Sequence, residues 1–389
     1  MSNNLPAFLL DDFIAENGPQ GRVPPAELEP LRRVAAKIRG DASLRSLAAR
    51  WNHELFGAEH PTLLAEAFPE RVDGLAEPEV WAFRALLALS GFPFCRELFA
   101  ARGLPPELAE GAMVDLPLWM EQFKRELGMP GISNRILGWE RGLLHGSLYR
   151  VGRLQFGVRP FPGKVVVFRH RQTRQLQTLA ADGLAFNPEG LRDGVDGQFA
   201  SSGAWKSSLA LGAAQVRGTP VTPAGRAENR MVELPLDAWE RALGPGDFVL
   251  DTHIPAGEKL NIENCADAFA RAIDFHHQHF PKAKFKAFCC VSWFLDPQYQ
   301  QMLKPESNIL KFQRALHLFP VGEGGEDAYW RVFGENGLKD GLDKAPRDTS
   351  MRRAVADFLE KGGKLRSGGG LVLLEDLPFG KDVLTPAGA

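Results

Sequence analysis

In the segment DFVLDTHIPAGEKLNIENCADAFARA, Asp251 and His253 stand two residues apart. Alternate side chains of an extended strand share a face, so this spacing sets a carboxylate beside an imidazole. The pair also falls at the exit of the strand, where open parallel sheets place their ligands. A histidine so positioned can serve as a general base near neutral pH, with the aspartate fixing its ring. The same two side chains could equally do no more than bond loop backbone. A second group lies in FKAFCCVSWFLDPQYQQML, where Ser292, Trp293, Asp296 and Tyr299 occur within eight residues. Asp296 ahead of Pro297 reads as a helix start, the aspartate as N-cap and the proline in the first turn. Tyr299 then falls in that first turn and is a candidate proton donor to a leaving group, although a core or surface position would account for it as well.

Asn261 is a good N-cap for the helix that follows the first strand, and the N–H groups of such a helix start can receive an anion such as a pyrophosphate. Neither GxGxxG nor GxxxxGK[ST] occurs, and KGGKLRSGGG at 361–370 follows a helix and precedes a strand, the reverse of the P-loop context, so it reads as a flexible loop. His276 and His279 are one helical turn apart, yet they sit in the last turn of a helix, where polar and cationic side chains suit the free carbonyls. HExxH and zinc-type Cys/His spacings are absent, and Asp251-x-His253 reverses the order used by iron oxygenases, so no metal site is expected. Cys95, Cys265, Cys289 and Cys290 form no CxxC pair and read as reduced, buried thiols.

These residues need a scaffold, and the order of elements around them is legible. A strand (DFVLDTHI), a helix from about Asn261 to Phe280 and a second strand (FKAFCCVSWF) imply a parallel crossover. A helix beginning near Asp296, a short strand (LHLFPV), a helix from about Ser350 to Lys361 and a last strand (GGLVLLED) complete an α/β region. Ahead of it, LYRVGRLQFGV, KVVVFRHR and RQLQTLAA alternate as strands do. The stretch at about 182–246 is rich in Gly, Pro and Ser, with strands expected only at SSLALGAAQV and RMVELP. The first 145 residues read as helices: Leu31, Val34, Ala35 and Ile38 share one helical face, Leu44, Leu47, Ala48, Trp51 and Leu55 another, and further helices are expected over 77–90, 106–127 and 133–145. The expected organisation is a helical domain at 1–145 and a mixed-sheet domain at 146–389 with helices on both faces.

A chain of 389 residues, 44% apolar and 24% charged, is long enough for two cores and too apolar to be disordered. Its net charge of −2, with basic residues dispersed, gives no electrostatic footprint for nucleic acid. No run of 18 apolar residues exists and the opening residues lack the pattern of an export signal, so a cytoplasmic protein without a membrane span is expected.

Taken together, LYRVGRLQFG, LDTHIPAGEKLNIENCADAFARAIDFHHQHFP, FKAFCCVSWFLDPQYQQML, SNILKFQRALHLFP and GGLVLLED resemble the bacterial acyltransferase domain-containing proteins that join a helical N-acyltransferase N-terminal domain to a GNAT-like C-terminal domain. The resemblance spans most of 146–378 and is weaker before it. It implies a sheet splayed between its fourth and fifth strands, with an acyl-coenzyme A as co-substrate in the splay. That co-substrate would lie against Ile254, Ala256, Gly257 and Asn261 on one side and Ser292 and Trp293 on the other. It also implies His253 or Asp251 as base, Tyr299 as acid, and a small-molecule or peptide acceptor bearing an amine or hydroxyl. GNAT enzymes typically carry an Arg/Gln-x-x-Gly-x-Gly/Ala loop before the pyrophosphate helix, whereas this chain has PAGEKLNIEN. A catalytically silent GNAT fold that binds a ligand or partner is the competing expectation.

Overall fold

The computed structural model describes residues 5–58, 65–257, 259–335 and 337–384. The chain divides into two compact units, Met1–Arg150 with Pro255–Gly257, and Val151–Ile254 with Glu258–Ala389.

In the first unit the apolar spacing becomes buried helix faces. Its α-helices are α1 (Asp11–Gln20), α2 (Pro25–Gly40), α3 (Ala42–Asn52), α4 (Glu77–Ser90), α5 (Phe92–Ala101), α6 (Pro106–Met113), α7 (Asp115–Leu127) and α8 (Asn134–Leu144). Leu31, Val34, Ala35 and Ile38 of α2 are all buried. The Asp41 side chain caps α3 by accepting from the N–H groups of Ser43 and Leu44. Helix α4 is buried almost all round, from Ala82 through Ser90, and forms the centre on which its neighbours pack. The single helix expected over 106–127 is two. Pro117 would clash with the carbonyl four residues before it in a continuous helix, so the chain breaks at Val114 and restarts at Asp115, with the proline in the first turn of α7.

Glu140 of α8 is fully buried, and neither carboxylate oxygen has a hydrogen-bond partner among the described residues. Burial, and then the nearby charge of Asp115, push its carboxyl well above the usual range, against the pull of Arg150. The folded state therefore keeps a proton that the unfolded chain releases as pH rises through the ordinary carboxylate range, and stability falls with pH there. Glu140→Met removes both the unpaired polar group and this penalty. It is expected to stabilise the protein by about 1–3 kcal/mol at pH 7, with a larger gain at pH 8 than at pH 5 in urea titrations. A variant less stable at both pH values would contradict this account.

The second unit opens within β1 (Tyr149–Val151), which turns at Gly152, φ 61°, into β2 (Leu154–Pro160). There follow β3 (Val165–His170), β4 (Leu176–Ala180), β5 (Ala185–Phe186), β6 (Trp205–Lys206), β7 (Leu209–Leu211), β8 (Gln215–Gly218), β9 (Pro220–Val221), β10 (Val232–Pro235) and β11 (Trp239–Leu243). Next come β12 (Phe248–His253), α9 (Ile262–His279), β13 (Ala287–Ser292), α10 (Tyr299–Met302), α11 (Asn308–Arg314), β14 (His317–Pro320), α12 (Glu326–Phe333), α13 (Ser350–Glu360) and β15 (Gly368–Leu373). The main sheet has the order β1-β2-β12-β13-β15-β14. Its β12–β13 pair is parallel, as the crossover through α9 requires, while β2–β12, β13–β15 and β14–β15 are antiparallel.

Helix α9 covers one face of this sheet, where Phe269 meets the edges of Phe156 and Phe288. On the opposite face Val249, Ala287, Cys289, Phe319 and Leu371 pack against Phe161, Val165, Val167, Leu184, Phe186, Val221 and Leu243. The Gly- and Pro-rich stretch is therefore no loose loop. Its apolar residues, with β3 and β4, form a second β-layer on the sheet. The strand expected from Gly369 begins one residue earlier, so Gly368–Gly370, where the expected flexible loop overlapped it, are the start of β15, paired on both sides. A Cβ on Gly368 would stand 1.9 Å from the Leu295 carbonyl oxygen and one on Gly369 2.1 Å from the Phe319 ring, so close approach is what these positions require. No helix among the described residues is long and apolar enough to cross a membrane.

Candidate functional site

Strand β12 pairs with β2 along its whole length, Phe248↔Pro160 through His253↔Gln155. With β13 it pairs only at Leu250↔Phe288 and Asp251↔Cys289, helped by a bond from the Lys286 N–H to the Phe248 carbonyl at the N-terminal side. Beyond Asp251 no ladder pair joins the two parallel strands, at the C-terminal end of the sheet.

Asp251 and His253 stand where that ladder ends, on the face opposite α9. His253 Nε2 is 2.8 Å from Asp251 Oδ2, and Arg159 Nη1 donates to the same oxygen at 2.9 Å. Asp251 is buried, whereas a quarter of the His253 side chain remains exposed. Burial opposes the charge on Asp251, but the hydrogen bonds and charges of His253 and Arg159 outweigh it and hold the carboxyl below its usual value. An ionised carboxylate has no proton to give, so Nε2 of the neutral imidazole is the donor and Nδ1 carries the lone pair. Cys289, level with Asp251 on β13, stays a thiol because burial, and then the Asp251 charge, raise it well above its ordinary value. The arrangement holds the imidazole in one orientation, by its Nε2, at the end of the strand.

The Asn261 side chain accepts from the Asn264 N–H and caps α9 in the manner its residue type suggests. Ile254 directly follows β12, while Ala256 and Gly257 group with the first unit, and Glu258 lies outside the described residues. Ser292 Oγ accepts from the Phe294 N–H and so caps the single 3₁₀ turn that ends β13. Trp293 lies against Phe294 and, at 6.2 Å between ring centroids, Tyr299.

Asp296 does not cap a long helix. Its buried carboxylate accepts from the backbone N–H of Gln298 and of Arg366 and from the Gln298 side chain, and so joins the end of β13 to the residues before β15. Only the short α10 follows. Tyr299 opens it inside a separate apolar cluster with Leu310, Val332, Val355 and Leu365. Its hydroxyl is buried without a hydrogen-bond partner among the described residues, and burial, then the Asp296 charge, push it well above its ordinary value. No contact among the described residues joins Tyr299 to Asp251 or His253.

His276 is buried with Nδ1 2.7 Å from the Ala272 carbonyl oxygen, and burial lowers its imidazole. Among the described residues no three His, Cys, Asp or Glu side chains gather so as to hold a metal ion. The one member of the site that sequence reasoning missed is Arg159. It is 92 residues from Asp251, and only the β2–β12 register brings it near.

Comparison with known proteins places both regions. Residues 19–146 match the N-acyltransferase N-terminal domain and residues 148–372 the GNAT-like C-terminal domain. No curated protein matches the chain. Among solved structures, an acyltransferase mutant in complex with octanoyl-CoA is 22% identical, with a TM-score of 0.62 over 95% of this chain and 90% of that one. An acyltransferase in complex with decanoyl-CoA and teicoplanin is 23% identical, with a TM-score of 0.61 over 93% and 87%. At these identities the likeness is one of fold.

Proposed function

Because the chain belongs to the family that joins an N-acyltransferase N-terminal domain to a GNAT-like C-terminal domain, we propose that it transfers an acyl group from an acyl-coenzyme A to an amine or hydroxyl of a small-molecule or peptide acceptor. The observation that carries this reading is the end of the β12–β13 ladder immediately after Asp251, with the Asp251–His253 pair beside it. In this reading the thioester lies along β12 where its ladder to β13 ends, and the backbone beyond Asp251 offers N–H to the thioester carbonyl. The pyrophosphate meets the start of α9, where the Asn261 side chain takes the Asn264 N–H and leaves the earlier ones to an anion. Ile254, Ser292 and Trp293 are the proposed remaining contacts to coenzyme A.

His253 Nδ1 takes the proton of the acceptor amine or hydroxyl as its nitrogen or oxygen attacks the thioester carbon. The tetrahedral intermediate collapses, the carbon–sulfur bond breaks, and the thiolate leaves. Tyr299, whose hydroxyl proton is committed to no other group described, is the proposed donor to that sulfur. Asp251 holds the ring by Nε2, in the tautomer in which Nδ1 carries the lone pair.

The test uses the full chain with acetyl-, octanoyl- and decanoyl-coenzyme A, the longer two chosen because the similar structures hold them. A donor at 100 times its Kd should stabilise the fold by about 2.7 kcal/mol and raise Tm by several degrees. Thiol release should depend on an added amine or hydroxyl acceptor. No thermal shift and no thiol release with any donor would replace this reading by the silent-fold alternative.

A further inference from the structure

On β2, Arg159 lies in register with Val249, and Gly157 lies in register with Asp251. Residues in register across an antiparallel pair point to one face, so Arg159, Gly157 and Gln155 share the face of Asp251 and His253. Gly157 has no side chain to stand opposite the carboxylate, and the long arginine reaches it from the neighbouring position. Two donors, Arg159 Nη1 and His253 Nε2, then converge on the one oxygen Asp251 Oδ2. We propose that Arg159 is a positioning residue of the acyl-transfer site, which locks the Asp251 carboxylate and opposes charging of the His253 ring, so that the imidazole stays available as a base.

This inference rests on the reading of His253 as base and deepens it. The argument is electrostatic and steric. A carboxylate with a histidine alone would favour the imidazolium, and would so remove the lone pair the reaction needs. A guanidinium on the same oxygen already neutralises much of that carboxylate, and its positive charge lies within two hydrogen bonds of the ring. Cys289 on β13 is held as a neutral thiol, and Gln155, opposite His253 on β2, carries no charge. The lowered carboxyl of Asp251, to which Arg159 contributes, agrees with the geometry. Arg159 is itself 43% exposed, so solvent screens part of its influence.

The proposal is tested with Arg159→Gln and Arg159→Lys in the full chain, by two readouts. The first is the NMR titration of the His253 ring, identified by its loss in His253→Ala, and it needs no turnover. In Arg159→Gln the ring should take up its proton at a higher pH than in the parent, and in Arg159→Lys the parent titration should return. The second is the pH profile with an acyl-coenzyme A donor. Arg159→Gln should lose about 10-fold in kcat at pH 6, yet lie within about 2-fold of the parent at pH 8.5, with KM for the donor little changed. A His253 titration identical in parent and Arg159→Gln overturns the proposal, as does an equal loss of kcat at both pH values. Failure of the reading of His253 as base has a different signature, since His253→Ala would then turn over as the parent does, whatever Arg159 does to the ring; failure of acyl transfer itself would show as no thiol release from the parent.

Discussion

With an acyl-coenzyme A donor and a competent acceptor, His253→Ala lowers kcat by about 10²- to 10⁴-fold, the contribution commonly made by a positioned general base. The fold should survive. The His253 side chain is partly exposed, and its removal leaves Asp251 paired with Arg159, so no buried charge is stranded. Melting curves of parent and variant should therefore nearly coincide while their turnover differs. The parent's rate should fall toward acidic pH, because a charged imidazole cannot accept a proton, and that limb should be missing from the residual activity of the variant. Asp251→Asn is expected to act in the same direction through the ring. An amide in place of the carboxylate can donate to Nε2, and this favours the tautomer in which Nδ1 carries the proton. Parent-like turnover in His253→Ala at saturating donor would remove the base from the proposed mechanism.

For Tyr299 the two roles under consideration predict different results from the same substitution. Tyr299→Phe deletes a hydroxyl that is buried and unpaired among the described residues, so the folded state should gain roughly 1 kcal/mol or more, whichever role is right. If the hydroxyl also donates to the departing sulfur, kcat falls by about 10²-fold despite that gain. A stability gain with unchanged turnover would assign Tyr299 to the apolar cluster it shares with Leu310, Val332 and Val355. Protonation of the thiolate would then fall to solvent or to the charged His253. Urea titration and steady-state kinetics on one preparation separate these outcomes. Loss of turnover together with loss of stability would contradict both.

Local chemistry decided what was legible in the sequence. Asn261 caps α9 because an asparagine side chain reaches the N–H three residues on, whatever surrounds it. Asp251 and His253 share a face because strand geometry repeats every two residues, and β12, α9 and β13 form a parallel crossover because a connection of that length permits little else. Pro117 in the same way carried a break between α6 and α7 that a purely periodic reading of 106–127 passed over.

Tertiary structure decided everything that depended on a neighbour distant in sequence. Arg159 joins Asp251 only through the register of β2 on β12, and nothing in LQFGVRP announces that partner. Asp296 and Tyr299 sit three residues apart, yet one closes a polar joint with Gln298 and Arg366 while the other enters an apolar cluster. That division is set by what packs against a short helix and not by its residues. The glycines at 368–370 look like a loop because glycine is flexible in isolation. They are strand because β13 and β14 pair with them on both sides, and glycine at 368 and 369 because the Leu295 carbonyl and the Phe319 ring lie where a side chain would have to be. The stretch at 182–246 is poor in periodic signal for a related reason: its strands are two to five residues long, too short to show a pattern, and burial against the main sheet gives them the order that their own sequence does not.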